Sequence, residues 1–513
     1  MHNGSVAFWR GLAQPVRYAA LLAGALPVLA FPSPDLEFVA WFGLVPGMAL
    51  VRTAPTAREA AVRGWWFGAG YLLAALYWLI PNLGPGLLLV VIVLGAPWAA
   101  AGLATWHLLR PPGPGLGKAL AALVVLPSCW VAIDWIRSWQ GIGGPWAVLG
   151  ASQWQHPEVL ALAAVGGIWL VSFALVAANA GVAIAAFASG RLARLAGAAG
   201  AAVAVAAGPI AFALMPAPTP ASGIAGKLSL ALVQPGLATR GPAALIAAEV
   251  RLTMAAAHGA DLVVWGESSL GENLSGRPAL LARLRRLAAG APLLVSQDAY
   301  GPAGAHTKVA VLIGQDGIEG TYTKSRLVPF GEYIPFRSLL GWLSRISKAA
   351  SVNMVPGPGA RVLHATLPDG RRLAFGVLTC FESSFPDMSR VDAGRGAQMI
   401  VYQTSDSTFQ GSWAPAQHAS LGALRAAETG LPVVQAALTG DSAAFDARGR
   451  LLAWAGTSVR GVIVVTVTLP RASATTPYDR LGDYVPLVAL AVVALAIARA
   501  IGRTASIGRF RRR

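Results

Sequence analysis

The sequence predicts a multi-pass α-helical membrane bundle joined to a separate α/β domain outside the membrane. Of the 513 residues, 55% are hydrophobic and only 12% are charged, whereas a soluble domain carries about 25% charged residues. Apolar runs long enough for membrane helices recur before residue 217 and return near the C-terminus. A more polar stretch of alternating strand and helix patterns lies between them. This composition excludes an ordinary cytosolic enzyme, a disordered protein and a fibrous protein.

The membrane segments are the apolar runs themselves, since a helix crosses a bilayer with about 20 residues. They are Tyr18–Phe31, Leu36–Val51, Ala60–Ile80, Gly86–Leu109, Ala119–Ile136, Val159–Ala188, Leu192–Leu214 and Tyr484–Ile501. We therefore predict a membrane domain over residues 1–216 with about seven transmembrane helices. Residues 484–513 are predicted to form a C-terminal transmembrane helix and a basic tail.

The basic residues determine the predicted orientation, because they are retained on the cytoplasmic side of a membrane. They cluster at alternate segment ends, at Arg10, Arg17, Arg52, Arg58, Arg63, Arg110, Lys118, Arg191, Arg194, Arg499, Arg503, Arg509 and Arg511 to Arg513. The opposite loops contain only Arg137. Both termini are therefore expected in the cytoplasm, with residues 217–483 on the other side of the membrane. The net charge of +17 then reflects topology rather than nucleic-acid binding.

Residues 217–483 are predicted to form an α/β domain with layered sheets. Its predicted strands are Leu228–Gln234, Leu262–Trp265, Pro292–Ser296, Val309–Ile313, Leu373–Thr379, Met399–Gln403, Pro432–Ala437 and Val462–Val467, and its predicted helices are Pro242–His258, Pro278–Ala289, Ser384–Arg395 and Ala414–Thr429. Several strands are apolar without alternation, which indicates a sheet covered on both faces. In such sheets the reactive groups gather at the strand ends.

Three strand ends carry side chains with complementary chemistry. Glu267 follows the strand LVVW, Lys324 lies in the Gly- and Pro-rich segment Tyr322–Pro335, and Cys380 ends the strand FGVLT. Taken singly, each has a structural explanation: a helix cap, a solvated charge and a small core residue. Together they supply a base, an ammonium that stabilises an oxyanion, and a thiol nucleophile. We also expect the ammonium to favour the thiolate.

This order of glutamate, lysine and cysteine resembles the nitrilase, or carbon–nitrogen hydrolase, superfamily. Within it, YTKSRLVPFGEYIP and the segment around Cys380 resemble the apolipoprotein N-acyltransferases. The resemblance implies a multi-pass protein of the bacterial inner cell membrane, with an αββα sandwich on the periplasmic or extracellular side. It also implies transfer of an acyl chain from a phospholipid, typically phosphatidylethanolamine, to the N-terminal diacylglyceryl cysteine of a lipoprotein.

The resemblance also implies roles at individual positions. Glu267 matches the general base, Lys324 the oxyanion-stabilising lysine and Cys380 the nucleophile that forms the thioester. Glu332 matches a glutamate that helps hold the lysine and substrate, and Glu382 the glutamate that follows the nucleophile. We expect a monomer that needs no cofactor or metal and binds no nucleic acid.

The chain departs from the family pattern at several positions. They are Gly266, where proline is usual, Phe381, where tyrosine is frequent, Thr404–Gln410, Gln435 and the LTGDS run around Asp441. Two alternatives therefore stand beside the transferase: a membrane-bound amidase that uses the same triad with water, and a non-catalytic paralogue. The eight predicted crossings argue against the amidase, because a membrane tether needs fewer. The complete triad argues against the non-catalytic paralogue.

One further segment outside the triad is predicted to reach the bilayer. Leu339, Leu340, Trp342, Leu343 and Ile346 form an apolar loop with Arg345 and Lys348 nearby. We interpret it as a segment that enters the membrane surface and controls acyl entry. The alternative is a packed surface helix. The scattered histidines, His418 among them, are assigned structural roles.

Overall fold

The computed structural model describes residues 14–216, 226–237, 241–300, 306–342, 353–409, 411–471 and 476–510. The first part is helical. Its helices are α1 Pro15–Ala25, α2 Val45–Arg52, α3 Ala57–Ala75, α4 Ile80–Leu83, α5 Gly86–Gly95, α6 Trp98–Leu109, α7 Leu116–Arg137, α8 Pro157–Phe187 and α9 Arg191–Leu214. Short 3-10 helices cover Leu26–Ala30, Glu37–Trp41, Tyr77–Leu79, Gln140–Ile142 and Leu149–Gln153.

Four helices in the described part of the chain are long and apolar enough to cross a membrane. They are α7, α8, α9 and Tyr484–Gly502 near the C-terminus. The pair α5 and α6 meets the same criteria jointly, but the two helices are bent by 42° at the break between them. The helical part therefore has the length and hydrophobicity of a membrane domain.

The segment Leu36–Val51, predicted as one crossing, is not one helix. A 3-10 helix ends at Trp41, and α2 begins at Val45 with Pro46 in its first turn. Proline has no backbone N–H to continue a preceding helix, and its ring clashes with the carbonyl four residues earlier. A new helix therefore begins at Val45 instead of continuing the preceding one. A second break lies inside α8, where Gly166 and Gly167 leave helical geometry.

The second part contains two six-stranded sheets. The strands are β1 Lys227–Gln234, β2 Leu262–Trp265, β3 Leu293–Tyr300, β4 His306–Gly314, β5 Gly317–Thr323, β6 Val362–Thr366, β7 Arg372–Thr379, β8 Met399–Thr404, β9 Val433–Ala437, β10 Ser442–Phe445, β11 Leu451–Ala455 and β12 Gly461–Thr468. One sheet has the order β12-β1-β2-β3-β4-β5, and the other has the order β11-β10-β9-β8-β7-β6. Strands β1–β2–β3 and β7–β8–β9 pair in parallel, so the corresponding strand ends share an edge.

Helices cover the outer faces of the two sheets. They are α10 Pro242–Ala256, α11 Pro278–Ala288, α13 Pro386–Gly394 and α14 Ala414–Thr429. The short helix α12 Arg337–Leu340 has no buried residue, and α15 Pro477–Leu481 and α16 Tyr484–Phe510 follow the sheets. Side chains alternate along β1: Leu230 and Leu232 enter the core between the sheets, while Ala231 and Val233 pack with the outer helices α10 and α11. The result is the predicted αββα sandwich.

All eight predicted strands and all four predicted helices of this domain are confirmed, with shifts of a few residues at their ends. Four strands, β5, β6, β10 and β11, were not predicted. Strands β5 and β6 are partly exposed edge strands and lack a continuous apolar run. Strand β11 is also a partly exposed edge strand, but its sequence LLAWA is apolar and was overlooked. Strand β10 is buried, but its four residues follow a Gly-containing turn and give too short a pattern.

The sandwich is attached to the membrane part through α8 and the start of α16. The break at Gly167 frees the backbone N–H of Ile168, which donates to Glu428 of α14 at 2.8 Å. Asp483, just before α16, accepts hydrogen bonds from the indoles of Trp135 and Trp169 at 3.1 and 3.0 Å. These buried contacts hold the two parts together.

Candidate active site

The site is formed where β2, β5 and β7 end. The Nζ of Lys324 lies 3.3 Å from Oε1 of Glu267, and Cys380 lies near enough for both charged groups to act on its thiol. Glu267 and Lys324 are buried, whereas Cys380 is partly exposed. The structure therefore brings together the three side chains that the sequence placed at separate strand ends.

Glu332 holds the lysine from the other side. Its Oε1 accepts a hydrogen bond from Lys324 Nζ at 2.7 Å, and its Oε2 accepts the backbone N–H of Val328 at 2.9 Å. Burial alone would lower the pKa of Lys324, but the charges of Glu267 and Glu332 outweigh it and raise the pKa well above its usual range. Lys324 is thus a fixed cation at neutral pH.

Lys308 is a second ammonium at the base, and sequence reasoning missed it. Its Nζ lies 3.4 Å from Glu267 Oε1, 3.5 Å from Asp298 Oδ1 and 2.6 Å from Ser268 Oγ. Burial would raise the pKa of Glu267, but Lys308 and then Lys324 lower it to about 2. Lys308 follows His306 and Thr307 at the polar start of β4, so no local pattern marked it as a site residue.

The environment of Cys380 contradicts the expectation of a resting thiolate. Burial and the negative charge of Glu267 raise the pKa of the thiol, and the ammonium of Lys324 only partly offsets them. The thiol is therefore protonated at rest beside an ionised carboxylate. Cys380 also has φ of +51°, a left-handed conformation that costs a side-chain-bearing residue about 1–3 kcal/mol.

Glu382 joins the turn of the nucleophile to the loop of the lysine. Its Oε2 accepts the backbone N–H of Thr379 at 2.8 Å, completing a capping box over Cys380–Ser384. Its Oε1 accepts the phenol of Tyr322 at 2.8 Å and the backbone N–H groups of Ser325 and Arg326 at 2.7 and 2.9 Å. One buried carboxylate thus fixes the spacing between Cys380 and Lys324.

His418 lies directly behind the nucleophile, which the sequence did not predict. Its Nδ1 is 3.0 Å from Asp406 Oδ1, and its Nε2 is 3.0 Å from the backbone carbonyl of Cys380 and 2.9 Å from Ser383 Oγ. Burial opposes the charged ring, but Asp406 outweighs it and raises the pKa of His418. An acceptor at each nitrogen favours the imidazolium form, which can donate to both Asp406 and the Cys380 carbonyl.

The same residues have the atom types of a metal site. Cys380 Sγ, an oxygen of Asp406 and a nitrogen of His418 lie within 4.8 Å of one another. Both ring nitrogens of His418 already have protein partners, however. The cluster is therefore explained as a hydrogen-bonded support, and we assign no metal to it.

Aromatic side chains of the membrane part form one side of the site. Trp146 packs 5.5 Å from the ring of His418 and donates to Gln417 Oε1 at 3.0 Å. Trp78 packs against Phe409 with ring centroids 4.8 Å apart. The nucleophile therefore lies close to the junction with the helical part.

The departures from the family pattern have local structural contacts at three positions. A Cβ at Gly266 would lie 2.0 Å from the backbone nitrogen of Leu438, so this backbone excludes proline there. Phe381 packs edge-to-face on Phe385. Gln435 donates to the carbonyl of Asp441 and serves the turn after β9.

The apolar loop is described only in part. Trp342 is 55% exposed and Leu339 is 74% exposed. Leu343, Arg345, Ile346 and Lys348 lie outside the described residues, as does Gln410 of the Thr404–Gln410 segment.

Comparison with known proteins assigns both parts of the chain. The model of the apolipoprotein N-acyltransferase N-terminal domain matches residues 23–181, and the carbon–nitrogen hydrolase model matches residues 229–476. An apolipoprotein N-acyltransferase from Sinorhizobium medicae is 32% identical over 87% of this chain and 88% of its own length. One from Geobacter metallireducens is 28% identical over 94% of this chain and 95% of its own length.

Two solved structures each resemble about half of the chain. An amidase of the nitrilase superfamily from Nesterenkonia is 21% identical and covers 49% of this chain and 93% of its own, with a TM-score of 0.34. A nitrilase-superfamily protein from Saccharomyces cerevisiae is 19% identical and covers 48% of this chain and 91% of its own, with a TM-score of 0.37.

Proposed function

This chain belongs to the apolipoprotein N-acyltransferase family, and from that membership we propose that it acylates lipoproteins through a thioester on Cys380. The acyl donor is a phospholipid of the phosphatidylethanolamine type, and the acceptor is the N-terminal diacylglyceryl cysteine of a lipoprotein. The observation that carries the proposal is the meeting of Cys380, Glu267 and Lys324 beside the aromatic junction with the membrane part.

In the first half-reaction, Cys380 Sγ attacks the ester carbonyl carbon of the phospholipid while its proton passes to Glu267. Because the thiol is protonated and the carboxylate ionised at rest, this proton moves as the S–C bond forms. The ammonium of Lys324 stabilises the tetrahedral oxyanion. Collapse breaks the C–O bond, and Glu267 returns the proton to the departing lysophospholipid.

In the second half-reaction, the α-amine of the lipoprotein attacks the thioester carbonyl. Glu267 takes a proton from the amine, the C–S bond breaks, and that proton returns to the Cys380 sulfur. The product is an amide and the free enzyme. Glu332 and Glu382 act by holding Lys324 and the nucleophile turn in place. Water must stay out of the site, since it would hydrolyse the thioester.

The chain is a bacterial membrane enzyme of this family. We propose residues 1–216 as the membrane domain, 217–483 as the catalytic domain and 484–513 as the last crossing with its tail. Contacts between loops support the orientation. Arg52 donates to the Leu109 carbonyl and stacks on Phe187, so the basic loops after α2, α6 and α8 lie together. The catalytic domain contacts the opposite helix ends, which supports our proposal that it lies outside and that both termini are in the cytoplasm.

The test is intact-mass analysis of the purified protein after incubation with phosphatidylethanolamine. Wild type is expected to gain one acyl group, and Cys380→Ala is expected to gain none. Adding a diacylated lipopeptide should remove the adduct and give triacylated peptide. Release of free fatty acid without peptide acylation would instead indicate a hydrolase, and an adduct on Cys380→Ala would contradict the assignment of the nucleophile.

A further inference from the structure

An apolar groove of about 690 Å³ runs along one side of α9, separate from the catalytic residues. Four alanines, Ala202, Ala206, Ala207 and Ala211, line it together with larger apolar side chains such as Ile210 and Leu214. We call the alanines its floor and the larger side chains its walls. The wall side chains Ile210 and Leu214 are 55% and 78% exposed. In a membrane helix such exposed apolar side chains face lipid.

The groove is long enough along the helix axis to span one membrane leaflet. Its lining extends from Ala202 to Met215, which corresponds to roughly 20 Å of helix at 1.5 Å per residue. Half of a bilayer hydrocarbon core is about 15 Å. Val165, next to the break in α8, completes the opposite wall. An extended acyl chain therefore fits along the groove within a single leaflet.

Two arginines lie at the end of the groove next to the catalytic domain. They come from the hairpin between β10 and β11. Arg448 donates to the carbonyl of Met215 at 2.6 Å and stacks 4.3 Å over the ring of Phe212. The guanidinium of Arg450 lies 5.7 Å from the same ring. Met215 itself lines the groove, so both cations stand at its mouth.

The positive charge at this mouth is not neutralised within the described part of the chain. The nearby Asp446 uses its Oδ1 to accept the backbone N–H groups of Arg448 and Arg450, at 2.8 and 2.9 Å. No described carboxylate forms an ion pair with either guanidinium. Guanidinium groups bind phosphate with paired N–H donors, which makes a phosphate diester their natural partner.

We propose that the α9 groove, with Arg448 and Arg450 at its mouth, is a binding site for one glycerophospholipid distinct from the acyl donor. Its phosphate contacts the two arginines, and one acyl chain lies along the alanine floor. Two cations favour an anionic headgroup such as phosphatidylglycerol. On the proposed orientation the lipid belongs to the outer leaflet.

The bound lipid connects the hairpin between β10 and β11 to the membrane helices. The hairpin tip already packs tightly, since a Cβ at Gly449 would lie 2.5 Å from the carbonyl of Ala423 and 2.8 Å from a methyl of Leu160 on α8. A phospholipid seated beside it adds contacts to α9. It therefore stabilises the docking of the catalytic domain without taking part in the chemistry.

The experiment is native mass spectrometry of the full-length protein, delipidated in detergent and titrated with phosphatidylglycerol. Each arginine near an anionic lipid is worth about a factor of five in affinity. The double variant Arg448→Gln/Arg450→Gln should therefore bind this lipid at least roughly tenfold more weakly and lose one bound lipid. Arg450→Gln alone, which leaves the Met215 contact intact, should weaken binding several-fold.

Two further variants separate the parts of the proposal. Arg283→Gln/Arg286→Gln on α11 removes the same charge from an exposed helix and should bind like wild type. Ala207→Phe/Ala211→Phe fills the groove floor and should also lose the lipid. Unchanged binding in the arginine variants, or in the groove-filled variant, would overturn the proposal. If inorganic phosphate alone bound as tightly as the lipid, the site would be a simple anion site, and the proposal would be overturned as well.

Discussion

Lys308 Nζ lies 3.4 Å from Glu267 Oε1, almost the same distance as Lys324 Nζ, at 3.3 Å. The catalytic carboxylate is thus placed between two ammonium groups, with Asp298 on the far side of Lys308. This arrangement keeps Glu267 ionised and makes it a weak base at rest. It accepts the proton only as the Cys380 sulfur forms its bond to the ester carbonyl carbon.

Replacing Lys308 with methionine is expected to move the acid limb of the pH–rate profile. Loss of one cation destabilises the carboxylate, so the pKa of Glu267 rises from about 2 and the base is protonated at higher pH. The acid limb of kcat/KM should shift upward by at least about one pH unit. Lys308→Arg should leave the limb in place. A uniform loss at every pH would instead show a purely structural role.

Replacing Glu332 with glutamine is expected to lower kcat more than it changes KM. Glu332 fixes the ammonium of Lys324 at 2.7 Å, and misplacing an oxyanion donor weakens stabilisation that exists mainly in the transition state. We expect roughly a 10- to 100-fold loss of kcat. Steady-state kinetics with a lipopeptide acceptor tests this, with the exposed Glu319→Gln on β5 as control. A change confined to KM would contradict it.

Removing the ring of His418 is expected to reduce the reactivity of Cys380. The imidazolium holds the carbonyl of a residue with φ of +51°, a conformation that costs about 1–3 kcal/mol. His418→Ala should slow both acyl transfer and alkylation of the thiol by about 10- to 100-fold. His418→Gln retains a donor and should recover part of the rate. Equal rates in the alanine variant would contradict this role.

Replacing Trp342 with glutamate is expected to impair turnover of lipid in vesicles while the fold stays intact. Trp342 is 55% exposed, and an apolar side chain there favours contact with a membrane surface. Thioester formation in proteoliposomes provides the measurement. Ile318→Glu, at a site 49% exposed on β5, is the matched control. Unchanged turnover by the Trp342 variant would remove the membrane role of this segment.

Asp392 is expected to make stability fall as pH rises. Burial and then Glu382 raise its pKa to about 8, and its carboxylate lacks a hydrogen-bond partner among the described residues. Between about pH 4 and 8 the folded state holds a proton that the unfolded state releases. The free energy of unfolding therefore decreases by up to about 1.4 kcal/mol per pH unit.

The variant Asp392→Asn cannot lose that proton, so its Tm should fall less between pH 5 and 8 and exceed that of wild type at pH 8. The exposed Asp369→Asn is the control and should follow wild type. Parallel Tm curves for wild type and Asp392→Asn would contradict the prediction.

The amino-acid sequence alone determined the division into an apolar helical part and an αββα domain. It also placed Glu267, Lys324 and Cys380 at strand ends. Hydrophobic periodicity is local, so it is readable wherever a strand or helix is buried, as in β2, β7 and α14. The segment Leu36–Val51 was misread because its hydrophobicity is that of a crossing, while Pro46 prevents one continuous helix.

Only the tertiary structure decided the protonation states and the supporting contacts. Lys308 and His418 are distant from the triad along the chain and carry no local signature, yet they lie against Glu267 and the Cys380 carbonyl. The same holds for Arg448 and the α9 groove. Electrostatic interactions depend on distances in space and on burial, and neither can be read from the order of residues.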